Sequence, residues 1–401
     1  MSSSGVPTTV SDGGSRTQEF LEEVFEPLHR AEQRRWARAY LQGLIHASGR
    51  KTPRGMARTE LMPPATAHGL HQFINASPWD WEPVRRRLAL WVAANTTPRA
   101  WVVAELTIPK RGVHSVGVHR RLNAATGRFI NCQQAVGLFL SADAHCFPVG
   151  WSLVLDDAWD RDRQRRRRAR IPEAETARPM SSYIFDHAAA VAAQPRLPRV
   201  PWVLDLARCE DAGGLLAGLA RHRFDVVCEV GPAQPVLAGH HASSVTTAGR
   251  LLEMRRTRRP YTAERQAAGS LPRTAPIRAY AGTVRLPRHD TDREGGSQRY
   301  RLLELRDPDG RQPARYWITS LTDRCVEETM ALVCSRAAVR TAVTTLREQF
   351  GALDFAGRSF PGWHHHMTMV SAAYVHQHLH GAARSLAMSP VPHAAPTRAA
   401  G

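Results

Sequence analysis

Lysine is almost missing from this 401-residue chain: Lys51 and Lys110 are the only two, so the Lys+Arg total of 54 is nearly all arginine. Acids are also scarce, with Asp+Glu at 36, which leaves a formal net charge of +18. GC-rich coding produces an arginine skew by itself, but a surplus this large is also the electrostatic footprint of a polyanionic partner, most often nucleic acid. No stretch approaches the roughly 18 to 20 apolar residues that span a bilayer, so no membrane partner is expected. Met1 to Arg16 is rich in Ser, Gly and Thr and has no apolar core, which excludes a signal peptide and predicts a disordered leader. The six cysteines, Cys132, Cys146, Cys209, Cys228, Cys325 and Cys334, show no CxxC spacing. That excludes a zinc ribbon or a disulfide scaffold and leaves reduced thiols in a cytoplasmic protein. A Walker A loop, a dinucleotide fingerprint and a G-x-S-x-G elbow are also missing.

What remains is a globular composition, 43% hydrophobic and 22% charged, in a chain long enough for more than one domain. Apolar residues at helical spacing (Phe20, Leu21, Val24, Phe25, Leu28, then Trp36, Tyr40, Leu41, Leu44) predict two amphipathic helices. The stretch from Leu70 to Trp91, with a helix start at Ser77-Pro78, predicts another pair, so residues 17–95 form a helical N-terminal domain. From Ala100 the texture changes. AWVVAE (100–105), HSVGVH (114–119), QQAVGLFL (133–140) and FPVGWSLVL (147–155) predict an antiparallel meander. The charged run Asp156 to Ile171 reads as a solvated loop, and after it helix and strand alternate through PWVLDL (201–206) and FDVVCEV (224–230). This order predicts a mixed α/β sheet with helices on both faces. Residues 231–321, rich in Gly, Pro and Arg, read as a basic insertion. Two helices, 323–349 and 361–386, complete the core of residues 96–230, and a disordered tail follows at 389–401.

Six segments then combine: LHQFINASPWDWEPVRR, WVVAELTIPKRGVHSVGVHRR, NCQQAVGLFLS, DDAWDRDRQRRRRARIPE, PWVLDLA and LREQFGALDFAGRSFPGWHHHMTMVSAAY. In order and spacing, from about Arg34 to His380, they resemble insertion-sequence transposases of the IS-seven-oh-one type. The resemblance implies a DDE superfamily endonuclease domain on an RNase H-like fold, DNA as partner, and transposition by metal-dependent phosphoryl transfer; the oligomeric state stays open, a dimer on DNA being one option. Two magnesium ions would activate the attacking oxygen and stabilise the leaving one, held by hard carboxylate ligands.

Residue by residue, the resemblance implies a degenerate triad. Ala104 stands where the first Asp belongs. Glu105 is its acidic neighbour, but successive strand side chains alternate faces, so Glu105 aims away from a site that residue 104 lines. Asp205 keeps the second position, although Ala207, Arg208 and Cys209 replace the small residues that follow it in the family. Counting back from Gly357-Arg358-Ser359-Phe360 places Arg347 at a family Lys and Arg340 at the catalytic Glu. Glu327, Glu328 and Glu348 lie two or more helical turns away, roughly 12 to 20 Å. Arg340 is therefore expected to pair with Asp205, and tight magnesium binding is not expected. DNA contacts are assigned to Lys110, Arg111, Arg165, Arg166, Arg167, Arg168, Arg255, Arg256, Arg258, Arg259 and Arg347, since arginine's planar fork suits phosphates. The expectation is a DNA-binding, transposase-like protein without catalysis, nucleoid-associated when bound. The alternatives are a recruited regulatory DNA-binding protein and a protein-interaction scaffold. His364, His365 and His366 read as core residues, because consecutive helical side chains fan out and do not chelate together.

Overall fold

The computed structural model describes residues 12–59, 62–63, 65–123, 126–209, 211–238, 244–254, 261–264, 276–287, 298–306 and 313–380. The first eleven residues of the expected leader, the expected tail and the basic run at Arg255, Arg256, Arg258 and Arg259 lie outside them.

Five helices lead the chain: α1 (Asp12–Val24), α2 (Ala31–His46), α3 (Pro53–Met56), α4 (Thr66–Asn75) and α5 (Trp81–Ala94). Their helical-period residues Phe20, Val24, Tyr40, Leu41 and Leu44 are buried, as an amphipathic pattern requires. Helix α5 starts later than Ser77-Pro78. Asp80 caps it, its carboxylate accepting the Glu82 N–H at 2.9 Å and satisfying one of the first-turn donors that have no intrahelical partner.

The strands β1 (Pro98–Pro109), β2 (His119–Asn123), β3 (Arg128–Ala142) and β4 (His145–Val154) form the meander. HSVGVH is not a strand as expected. Gly117 adopts φ +70, and the loop instead docks through the Val116 N–H to the Arg358 carbonyl at 3.2 Å and Gln133 Nε2 to the Val116 carbonyl at 2.7 Å. The charged run that follows folds into two short helices, α6 (Asp157–Arg161) and α7 (Arg163–Ala169), because Asp156 and Asp162 each cap one. Then come α8 (Met180–Ala192), β5 (Trp202–Asp205), α9 (Ala212–Arg221) and β6 (Val226–Val230).

Strands β7 (Pro235–Ala238) and β8 (Val245–Thr247), helix α10 (Ala248–Met254), and strands β9 (Tyr261–Glu264), β10 (Pro276–Arg285), β11 (Tyr300–Arg306) and β12 (Arg315–Thr319) continue the same sheet. Its order is β2-β3-β1-β5-β6-β12-β11-β10-β7-β8, with β4 on β3 and β9 on β10. The pairs β1–β5 and β5–β6 are parallel, and those of the meander antiparallel. This is the mixed α/β architecture of an RNase H-like domain. No described helix is long and apolar enough to cross a membrane.

Helices α11 (Val326–Glu348) and α12 (Phe360–His380) close the structure. Helix α12 is buried from Phe360 to His376 apart from Pro361, sandwiched between β4 and the N-terminal helices, so even its polar residues need partners. His366 has them: its ring nitrogens lie 2.8 Å from the Tyr40 hydroxyl and 2.9 Å from the Gly351 carbonyl. His365 stacks on Trp79 with ring centroids 3.9 Å apart, and Arg85 reaches His364 Nδ1 at 3.1 Å. The histidine run thus fastens the N-terminal helices to the sheet domain.

Candidate functional site

Parallel pairing sets the register of three central strands. Trp101 and Val102 of β1 pair with Trp202 and Val203 of β5, and continuing that step brings Ala104 level with Asp205. Asp205 in turn pairs with Glu229 of β6. Ala104, Asp205 and Glu229 therefore form one row across adjacent strands, near the carboxyl ends of β5 and β6, where open α/β sheets place their sites. Ala104 is buried and Glu105 exposed, so the alternation along β1 turns Glu105 away from the row.

Helix α11 covers this row with a cation. The Arg336 guanidinium hydrogen-bonds the Asp205 carboxylate, and its Nε lies 3.9 Å from Glu229 Oε2. Arg315, at the start of the neighbouring strand β12, grips Glu229 with two bonds of 2.6 Å, Nε to Oε1 and a terminal nitrogen to Oε2. Two carboxylates thus face two guanidiniums. The Arg336 side chain is 7% exposed and that of Glu229 11%, whereas Asp205 keeps 39% of its surface in solvent. Burial pulls the Arg336 pKa down while Asp205 holds it up; neighbouring Arg340 also lowers it. At Arg315 the bonds to Glu229 raise the pKa against burial.

The expected Arg340–Asp205 pair is corrected by this geometry. Asp205 is held by Arg336, one turn earlier on the same helix, and Arg340 is exposed. Counting residues from a downstream motif gives a position along a helix but not which turn faces the sheet. Glu229, Arg315 and Arg336 were all missed in the sequence. A signal existed for Glu229: a carboxylate inside the apolar strand VVCEV cannot be buried without a partner.

A divalent ion at this row needs several anionic oxygens. Ala104 offers none, Asp205 and Glu229 are already engaged by guanidiniums, and Arg336 stands where positive charge is wanted. Among the described residues no group of three or more His, Cys, Asp or Glu side chains is arranged to hold a metal. The residues present do not fit magnesium.

The expected DNA-contacting residues divide. Lys110 is turned inward, its ammonium donating to the Phe355 carbonyl at 3.3 Å, and burial pushes its pKa down to about 8. Arg165 packs over Trp159, 3.7 Å from the ring centroid, and donates to the Val113 carbonyl at 2.6 Å. Arg166 binds Asp160 at 2.8 Å and the carbonyls of Pro172 and Glu175. These three hold the fold together, whereas Arg111, Arg167, Arg168 and Arg347 are exposed.

A family model described as DDE superfamily endonuclease matches residues 23–286. The match contains Ala104, Asp205 and Glu229 and stops before the strand and helix that carry Arg315 and Arg336. No curated protein matches the chain.

Proposed function

The chain belongs to the DDE superfamily endonuclease family, and from that premise we propose that it is a transposase-like protein that binds DNA without metal and does not cut it. The observation that carries this reading is Arg336 on Asp205, beside an alanine at position 104. Two-metal phosphoryl transfer needs carboxylates free to hold both ions. A divalent cation about 4 Å from a guanidinium meets repulsion on the order of 8 kcal/mol at an effective dielectric of about 20, so the ion and Arg336 compete for one place.

Binding asks less of the site than cutting does. The net charge of +18 favours a polyanion, and the exposed guanidiniums of Arg167, Arg168, Arg340 and Arg347 are suited to phosphate oxygens. The test is a mobility-shift and cleavage assay on the gene's own flanking DNA, with magnesium and with EDTA. Binding is expected to be equal in both and to weaken steeply with salt, with no cleavage in either. Magnesium-dependent nicking that disappears in Asp205→Ala would overturn the proposal.

A further inference from the structure

Strand β3 outruns its neighbour. Cys132 to Ala142 pairs with β1 and the Asn131 carbonyl still accepts the Lys110 N–H at 2.8 Å, but Arg128 to Ile130 pairs with β2 alone, so the outer end of the β2–β3 hairpin is a two-stranded ribbon. One face of this ribbon carries Arg120 and Leu122 opposite Asn131 and Phe129. Leu122 and Phe129 pair directly and are 51% and 61% exposed. Val113 is 50% exposed and lines, together with Phe129, His119, Arg120, Asp156 and Arg165, an open trough of about 760 Å³ beside the ribbon. Three of the five large apolar side chains exposed among the described residues therefore gather in one place.

Charge decides what covers them. The ribbon carries Arg120, Arg121 and Arg128 and, among its described residues, no acid. A second copy adding to the free edge of β2 would set these arginines against their own counterparts, and cationic edge strands discourage such pairing. An exposed aromatic ring among guanidiniums instead matches a flat apolar base flanked by phosphates, the combination that binds single-stranded nucleic acid. The Arg120 guanidinium sits 5.0 Å from the Phe129 ring centroid, and the exposed remainder of the ring is open to a second flat group.

We propose that the β2–β3 ribbon is a base-stacking arm: Phe129 takes the face of an unpaired base in DNA, Leu122 and Val113 extend the apolar floor, and Arg120, on the same face as Phe129, holds the adjacent phosphate. This rests on the DNA-binding reading above and adds to it an element and a preference for unpaired bases.

The experiment uses the full chain with three probes: a fluorescein-labelled single-stranded oligonucleotide, the corresponding duplex, and a single strand carrying 2-aminopurine. Phe129→Ala, at an exposed position, is first checked by thermal melting. It should weaken single-strand binding roughly tenfold and abolish aminopurine quenching, while duplex binding changes little. Phe129→Trp should preserve both signals. Arg120→Gln should weaken binding to the single strand and reduce its salt slope by about 0.7. Unchanged single-strand affinity and quenching in Phe129→Ala would overturn the arm while leaving duplex binding, and hence the DNA-binding reading, intact. Loss of a dimer in Phe129→Ala, seen by sedimentation, would assign the patch to a second copy and also overturn it. Failure of the parent protein to bind any probe would remove both.

Discussion

Asp205→Asn and Arg336→Met should differ in their cost to stability, and the structure gives the order. When Asp205 loses its charge, Arg336 remains 7% exposed, with Glu229 3.9 Å away and already gripped by Arg315, and with Arg340 close enough to oppose it. Leaving a buried charge without its partner costs about 3 to 5 kcal/mol, and the residual attraction of Glu229 places Asp205→Asn near about 3. When Arg336 becomes methionine, Asp205 at 39% exposure rehydrates, Glu229 keeps both bonds to Arg315, and an unbranched apolar chain takes the space among α11's buried residues. That change should cost about 1 kcal/mol or less. The double variant should then be more stable than Asp205→Asn alone, by about 2 kcal/mol. Urea unfolding of the four proteins at pH 7.5 completes the cycle. An Asp205→Asn variant no less stable than Arg336→Met, or a double variant without rescue, refutes the claim that Arg336 is a buried cation held chiefly by Asp205.

Three further outcomes follow from the same structure. Burial pushes the His366 pKa down to about 4, against about 6.5 for an unfolded histidine, so the unfolded chain binds the extra proton between those values. Its contribution is intact above about pH 6.5 and is lost as pH falls toward 4. His366→Asn should reduce the proton uptake on unfolding near pH 5 by about one, measured from the pH dependence of the urea transition. Ala104→Asp combined with Arg336→Glu adds two carboxylates to the Asp205–Glu229 row and removes its cation. Manganese titration followed by electron paramagnetic resonance should detect a bound ion in that variant and none in the parent; no binding by the variant would show that the row is not a site from which a cation was displaced. Gly137 pairs with Ala104 from β3, and a Cβ there would lie 2.7 Å from the Trp151 ring. Because Trp151 is buried, with its indole donating to Ser371 at 2.8 Å, Gly137→Ala should cost about 1 to 3 kcal/mol in the same urea assay.

Much of the architecture is legible in the chain because its signals are local. The amphipathic period of α1 and α2, the apolar run of β5 and the long helix carrying Arg336 and Arg340 depend on neighbours a few residues away. HSVGVH misleads because alternation alone does not register that Gly117 takes a positive φ and that the loop's hydrogen bonds go to Arg358 and Gln133, more than ten residues distant. The acid–arginine run at 156–171 looks uniform in sequence. Its members part in space, two aspartates capping helices, Arg165 lying on Trp159, and Arg167 and Arg168 remaining in solvent.

The amino-acid sequence by itself determined the large positive charge, the mixed α/β order of elements, and that an alanine stands at 104 and an aspartate at 205. Composition and local periodicity carry those properties, and no contact is needed to read them. Only the tertiary structure decided which cation meets Asp205, that Glu229 shares its row, and that Phe129 and Leu122 come to lie together in solvent. Parallel strand register, the rotation of a helix over a sheet and cross-strand pairing set those distances, and all three join residues far apart along the chain.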